Sequence, residues 1–271
     1  MKDAGIDWNM LWQQARQKKS WKGKKKKDWD MRAASFAKRN LGSDFSDLCL
    51  RMIHPEPSWT VLDVGCGPGT LAIPLARQVK RVTAMDFSGQ MLAELALRVE
   101  EAELCNISPV HASWSDDWRE HGVERHDVVI AARSLAVDDL GAALAKMVRW
   151  AKKEVIVVDR VGPGPFDPDL FAALGRSFEP GPDFIFTVNI LFQMGITPSL
   201  DYLEFDLQRQ YADRHEAIEG CRWMVDDLSA AERPRLEQYV DARLSAHKDG
   251  GVTLIRKKPV KWAFIRWQIN E

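Results

Sequence analysis

Apolar side chains in the first fifty residues recur at helical spacing. In "WNMLWQQA", Trp8, Leu11 and Trp12 fall at i, i+3 and i+4. "DWDMRAASFAKR" repeats the pattern with Met31, Ala34 and Phe36 to Ala37, and "SDFSDLCLRMI" predicts a third helix capped by Ser43 or Asp44. A basic break containing Gly23 separates the first helix from the second. From residue 59 the period changes. "TVLDV" (60–64), "RVTAMD" (81–86), "ISPVHA" (107–112), "DVVIAA" (127–132) and "EVIVVD" (154–159) are short apolar runs. Amphipathic stretches separate them, notably "GQMLAELALRVEEAEL" and "DDLGAALAKMVRWAKK". Strand and helix in alternation predict an α/β fold, a parallel sheet with helices on both faces.

Past Asp159 the pattern loosens. "RVGPGPFDPD" is rich in proline and glycine, and an aromatic stretch to about residue 198 reads as a helical insertion. "YLEFDLQRQYA" is a strand candidate, "DRHEAIEGCRWMV" and "AAERPRLEQYVDARLSAH" are helices, and "GGVTLIRKKPVKWAFIRWQI" reads as two strands forming a hairpin across "KKP". The expected organisation is an N-terminal helical lid (1–56), an α/β core (57–160), a helical insertion (161–200) and a C-terminal part of the core (201–271).

Composition narrows the class rather than the function. The balance of 45% hydrophobic and 28% charged residues is that of a soluble globular protein. A net charge of −1 gives no global attraction to nucleic acid or acidic lipid. No segment has signal-peptide or membrane-spanning character, and Cys49, Cys66, Cys105 and Cys221 form no CxxC or zinc pattern. These features predict a cytoplasmic protein with reduced thiols, no metal site and no membrane partner.

The chemistry concentrates in "VLDVGCGPGTLA" (61–72). A P-loop needs a lysine and a hydroxyl after its last glycine, and here Thr70 and Leu71 follow Gly69. The dinucleotide fingerprint needs a glycine at 70. The spacing present is Gly65, Gly67, Gly69, preceded by Asp63, which would repel a pyrophosphate. Asp86 ends the next strand about twenty residues on, where α/β nucleotide sites place the carboxylate that accepts from ribose hydroxyls. A ligand with a ribose, a cationic part and no phosphate fits, and S-adenosylmethionine has all three.

With "VTAMDFSGQML" and "HDVVIAARSL" added, the sequence over about residues 58–160 resembles the class I S-adenosylmethionine-dependent methyltransferases. The resemblance implies a Rossmann-like, seven-stranded, mostly parallel sheet with its last strand antiparallel, S-adenosyl-L-methionine as cofactor and S-adenosyl-L-homocysteine as product. It also implies that Asp63 and the backbone of residues 65–69, Gly65, Cys66, Gly67 and Gly69 included, hold the methionine end. Asp86 would hold the ribose, and Phe87 and Met91 would sandwich the adenine. The family usually has an acid after the third strand, near the adenine amino group. Ser113, followed by Trp114, stands there instead. Ala132 and Arg133 would border the methyl group.

Substrate contacts are expected from Arg133, Trp29 and Arg32. The acceptor is expected to be a small organic molecule, under an apolar lid formed by the N-terminal helices and the insertion with Phe166, Phe171, Phe178, Phe184, Phe186 and Phe192. The "[ND]PP[YFW]" tetrad of many amino-group methyltransferases is absent, and no residue declares itself a general base. The alternatives are an RNA or protein methyltransferase docking through the basic run Lys22, Lys24, Lys25, Lys26 and Lys27, or a non-catalytic S-adenosylmethionine-binding module.

Overall fold

A computed structural model describes residues 5–20, 26–40, 44–206, 208–225, 227–246 and 250–269. Helices α1 (Trp8–Lys18), α2 (Lys26–Asn40) and α3 (Asp44–Ile53) precede β1 (Thr60–Val64). The alternating region follows: α4 (Ala72–Ala76), β2 (Arg81–Asp86), α5 (Gly89–Glu101), β3 (Ile107–His111), β4 (His126–Ala132), α6 (Leu140–Trp150) and β5 (Ala151–Arg160). Then come α7 (Pro168–Leu174), α8 (Phe184–Gln193), β6 (Ser199–Phe205), β7 (Arg209–Tyr211), α9 (Arg214–Arg222), α10 (Arg233–Asp241), β8 (Leu244–Ala246), β9 (Val252–Leu254) and β10 (Val260–Gln268).

Seven strands form one sheet in the order β3-β2-β1-β4-β5-β10-β6. β10 runs antiparallel to β5 and β6, while the β1, β2, β3, β4 and β5 pairings are parallel. This is the seven-stranded, mostly parallel sheet expected from the sequence. Its central strands are apolar on both faces, as burial under two helical layers requires. Leu62, Val64, Val129, Ala131, Val155 and Val157 pack with residues of α1, α6 and α8. Val61, Val82, Val128, Ile130, Ile156 and Val158 pack with α3, α4 and α5. Strand order reverses between β1 and β4, and ligands of such sheets bind at the carboxyl ends flanking that switch. The β1 glycine loop lies there.

Three expectations need correction. The C-terminal strands are not a hairpin. β9 joins β7 and β8 in a separate three-stranded sheet, whereas β10 enters the main sheet between β5 and β6. The reason is burial: Ala263 and Ile265 serve one apolar layer, Trp262 and Phe264 the other, so this strand needs cover on both sides. "YLEFDLQRQYA" likewise splits into β6 and β7, one for each sheet. On α2, Met31 is 69% exposed, and Ala34 is exposed too; the buried residues are Ala33 and Ala37. Ser43 lies outside the described residues; α3 opens at Asp44.

The small sheet packs with α7, α9 and α10 around a third core of Leu170, Leu174, Ala217, Cys221, Leu236 and Val240. The phenylalanines of 160–200 therefore do not form one cap. Phe166, Phe171 and Phe178 cluster, and Phe166 continues to Trp223. Phe186 packs edge-on against Trp8 and Trp12, Phe184 meets Tyr202, and Phe192 is exposed. Trp12 also donates its indole N–H to the Val137 carbonyl at 2.9 Å, a structural use of an N-terminal tryptophan. No helix among the described residues is long and apolar enough to cross a membrane.

Candidate active site

The loop after β1 is tied to β2. The amides of Gly65 and Cys66 both donate to the Met85 carbonyl (2.7 and 3.0 Å), and the Gly67 amide donates to Asp86 Oδ2 at 2.8 Å. Arg98 of α5 donates to the Pro68 carbonyl at 2.6 Å. Gly65, Gly67 and Gly69 all have left-handed backbones, with φ of +74°, +55° and +83°. Their surroundings differ. A Cβ on Gly65 would stand 2.4 Å from Ser134 Cβ, and one on Gly69 would stand 2.5 Å from Leu95 Cδ1. A Cβ on Gly67 would meet nothing closer than Phe36 Cε1 at 3.9 Å and Met91 Sδ at 4.0 Å. Gly65 and Gly69 thus answer to internal packing. Gly67 leaves room beside the loop.

Two carboxylates flank that room. Asp63 is 2% exposed, and its Oδ2 has no hydrogen-bond partner. Thr70 Oγ1, on the same loop, is buried and unpartnered as well. Burial, then the nearby charge of Asp86, pushes the Asp63 carboxyl up to about 7; only the Ala72 amide opposes this. Burial also raises Asp86, against amides from Ser88, Gly67 and Phe87 and the charge of His111. Asp86 Oδ1 accepts from the Ser88 amide at 2.9 Å. A buried carboxylate with an unused oxygen favours a cationic or hydrogen-bond-donating ligand.

Helix α2 crosses this ledge. Ser88 Oγ donates to Asp30 at 2.5 Å and accepts from the Met91 amide at 3.2 Å, so one hydroxyl caps α5 and anchors α2. His111 Nε2 stands 3.1 Å from the Phe87 carbonyl and 3.3 Å from Lys26 Nζ. Trp29 and Phe36 pack edge to face at 5.7 Å, with Phe36 over Gly67. Arg32 lines a cleft of about 480 Å³ with Glu219, Arg222, Trp223, Asp227 and Leu228. Of the lysine run, Lys26 and Lys27 are exposed at the start of α2, while Lys22, Lys24 and Lys25 lie outside the described residues. Sequence reasoning missed Asp30, Phe36 and Ser88. The Ser88 capping position was a readable signal; the reach of α2 was not.

The remaining predicted residues divide. Met91 is buried under the loop and Phe87 is half-buried beside Asp86. Trp114 donates its indole N–H to the Ser134 carbonyl at 3.2 Å, and Ser134 Oγ donates to the Val64 carbonyl at 2.6 Å, linking Trp114 to the loop's base. The Ser113 amide donates to Asp116, and its hydroxyl pairs with Ser115. Burial pushes the Cys66 thiol well up, away from reactivity. Ala132 is half-buried against the α3 and α4 layer. Arg133 follows with φ +59°, and its guanidinium lies 3.9 Å from the Phe45 ring centroid and 5.8 Å from that of Trp262. Burial lowers its pKa to about 10. Its charge is thus spent against aromatic rings of α3 and β10.

Residues 61–154 match the family model of a methyltransferase domain. An uncharacterized protein of Haemophilus influenzae is 31% identical over 245 residues, 89% of each chain. This chain belongs to the class I S-adenosylmethionine-dependent methyltransferases. The magnesium protoporphyrin IX methyltransferase of Arabidopsis thaliana is 33% identical to it over 126 residues, 45% of this chain and 38% of that one. Among solved structures, a candidate methyltransferase of Bacillus halodurans shares the fold at a TM-score of 0.55 and 15% identity, covering 85% of this methyltransferase and 100% of that chain. The methyltransferase's cofactor is S-adenosylmethionine, and the residues at the loop fit it. The orphaned Asp63 Oδ2 and Thr70 Oγ1 are suited to a ligand with ammonium and hydroxyl donors.

Proposed function

We propose that this methyltransferase acts on a small organic acceptor held in the cleft between α2 and the end of α9. The observation that carries the proposal is the roof that α2 makes over the loop, with Phe36 above Gly67, beside a cleft of about 480 Å³. A recess of that size falls in the range of small-molecule sites. The name of the Arabidopsis relative, which acts on a tetrapyrrole, is in keeping with such an acceptor.

Asp63 and the backbone of residues 65–69 hold the methionine end, and Asp86 keeps acceptor capacity for the ribose beyond its bonds to backbone amides. Phe87 and Met91 take the faces of the adenine, with Ser113 and Trp114 at its edge. Ala132 borders the transfer site. S-adenosylmethionine supplies an electrophilic methyl carbon whose leaving group is a neutral thioether, so no acid is needed to assist departure. What the chain contributes is alignment of the acceptor and exclusion of water. Arg32, on the α2 stripe that also carries Trp29 and Phe36, faces the acceptor.

The test is calorimetric titration with S-adenosylhomocysteine. Wild-type protein should bind it, and Asp86→Ala should weaken binding by about 1–3 kcal/mol, the range for hydrogen bonds to a charged group. Unchanged affinity would remove Asp86 from the site.

A further inference from the structure

Trp223 walls two spaces at once. One is the cleft beside Arg32. The other is a smaller cavity of about 30 Å³ within the α7, α9, α10 and β7-β9-β8 module, whose lining includes Asp167, Arg209, Tyr211, Tyr239 and Arg256. Arg256 donates through Nη2 to the Phe166 carbonyl, but its Nε and Nη1 are buried without a partner. Trp223 Nε1 is likewise buried and unpartnered. Three donor nitrogens without a partner thus belong to two residues of one cavity, where native proteins leave few such groups unpaired. Asp167 does not serve them. Its Oδ2 accepts from the Tyr239 hydroxyl at 2.6 Å, and its Oδ1 accepts from the Asp169 amide at 3.0 Å. Arg209 stands 5.5 Å over the Trp223 ring. Asp167 and, more weakly, Asp169 act on Arg256 by charge without a hydrogen bond to it; the lining itself holds two guanidinium groups to one carboxylate, and the cavity volume suits a planar group of a few atoms.

We infer that Arg256 and Trp223 form a binding site for the carboxylate of the acceptor, whose body lies in the adjoining cleft that Trp223 also lines. The inference rests on the proposed acceptor cleft and narrows the substrate class to carboxylic acids.

The test uses full-length protein with indole-¹⁵N tryptophan, titrated with acetate, biphenyl-4-carboxylate and inorganic phosphate, with and without S-adenosylhomocysteine. The Trp223 Nε1 resonance, assigned by its loss in Trp223→Phe, should shift saturably with biphenyl-4-carboxylate and less readily with acetate. Arg256→Met should weaken biphenyl-4-carboxylate binding at least tenfold while S-adenosylhomocysteine affinity stays within twofold. Should Arg256→Met lose both ligands, calorimetry on Trp223→Phe decides. That variant keeps a ring and lacks the donor, and it should bind the acid several-fold more weakly. The inference is overturned by no saturable shift, by undiminished acid binding in either variant, by acetate binding as tightly as the larger acid, or by phosphate binding more tightly than either. A wild-type protein that ignores S-adenosylhomocysteine would instead sink the reading of the glycine loop, leaving the acid titration to judge the cavity.

Discussion

Asp63→Asn should raise the melting temperature of the free protein at pH 8 and weaken its affinity for S-adenosylmethionine at least tenfold. The two effects have one origin. The Asp63 carboxyl is held up at about 7 by burial and by Asp86. A folded-state value above the ordinary carboxylate value means that the folded protein prefers the protonated form. Stability is therefore fullest below the ordinary value, falls as pH rises towards 7, and levels off above it. At about 1.4 kcal/mol per pH unit, the loss amounts to a few kcal/mol, and a neutral amide of the same shape avoids it. A cationic ligand needs the ionised form, so affinity for the wild-type protein should drop as pH falls below 7, by up to tenfold per unit, and be flat above. Thermal melts and calorimetry at pH 6, 7 and 8 check both arms. Equal affinity of the Asn variant at pH 8 would show that Asp63 faces no cation, and a lower melting temperature would show that burial does not destabilise its ionised form.

Gly69→Ala and Gly67→Ala should fail in opposite ways. At Gly69 the backbone is left-handed, and a methyl would press on Leu95, which is fully buried, and on Ile73. Backbone strain of about 1–2 kcal/mol and overpacking of about 1–3 kcal/mol combine there. The melting temperature should fall on the order of 5–15 °C. At Gly67 only the backbone term applies, since Phe36 and Met91 stand at ordinary contact distance. That variant should fold, melt a few degrees lower and lose cofactor affinity, because its methyl occupies the space beside the loop. Similar melting points for the two variants, with unaltered S-adenosylhomocysteine binding by Gly67→Ala, would remove the distinction between packing and access.

Legibility in the sequence followed burial. β1 and β2 match the apolar runs "TVLDV" and "RVTAMD" residue for residue, because strands buried on both faces and ended by an acid leave a sharp pattern. The glycine loop was legible for the same reason. α2 was legible as a helix but not in its orientation. Ala33 and Ala37 are its buried positions, and the larger Met31 faces outward, so side-chain size misled where close helix approach selected small residues. α4 covers only Ala72–Ala76, too short to leave a helical period in the sequence. Arg133 was placed correctly at the end of β4, but chain position could not say that its side chain would stack on Phe45 and Trp262. The Arg256–Trp223 cavity is assembled from distant segments, and no local spacing announces it.

The place of β10 sets an order of assembly. Among the described residues β6 pairs only with β10, and β5 meets β10 on the side away from β4. During synthesis the glycine loop and its two acids emerge roughly 170 to 200 residues before Val260–Gln268 leaves the ribosome. Until then β5 offers an open edge and β6 has no strand to bond with, a state in which nascent chains invite chaperones or self-association. Closure of the sheet thus waits for a segment made well after the strands it joins.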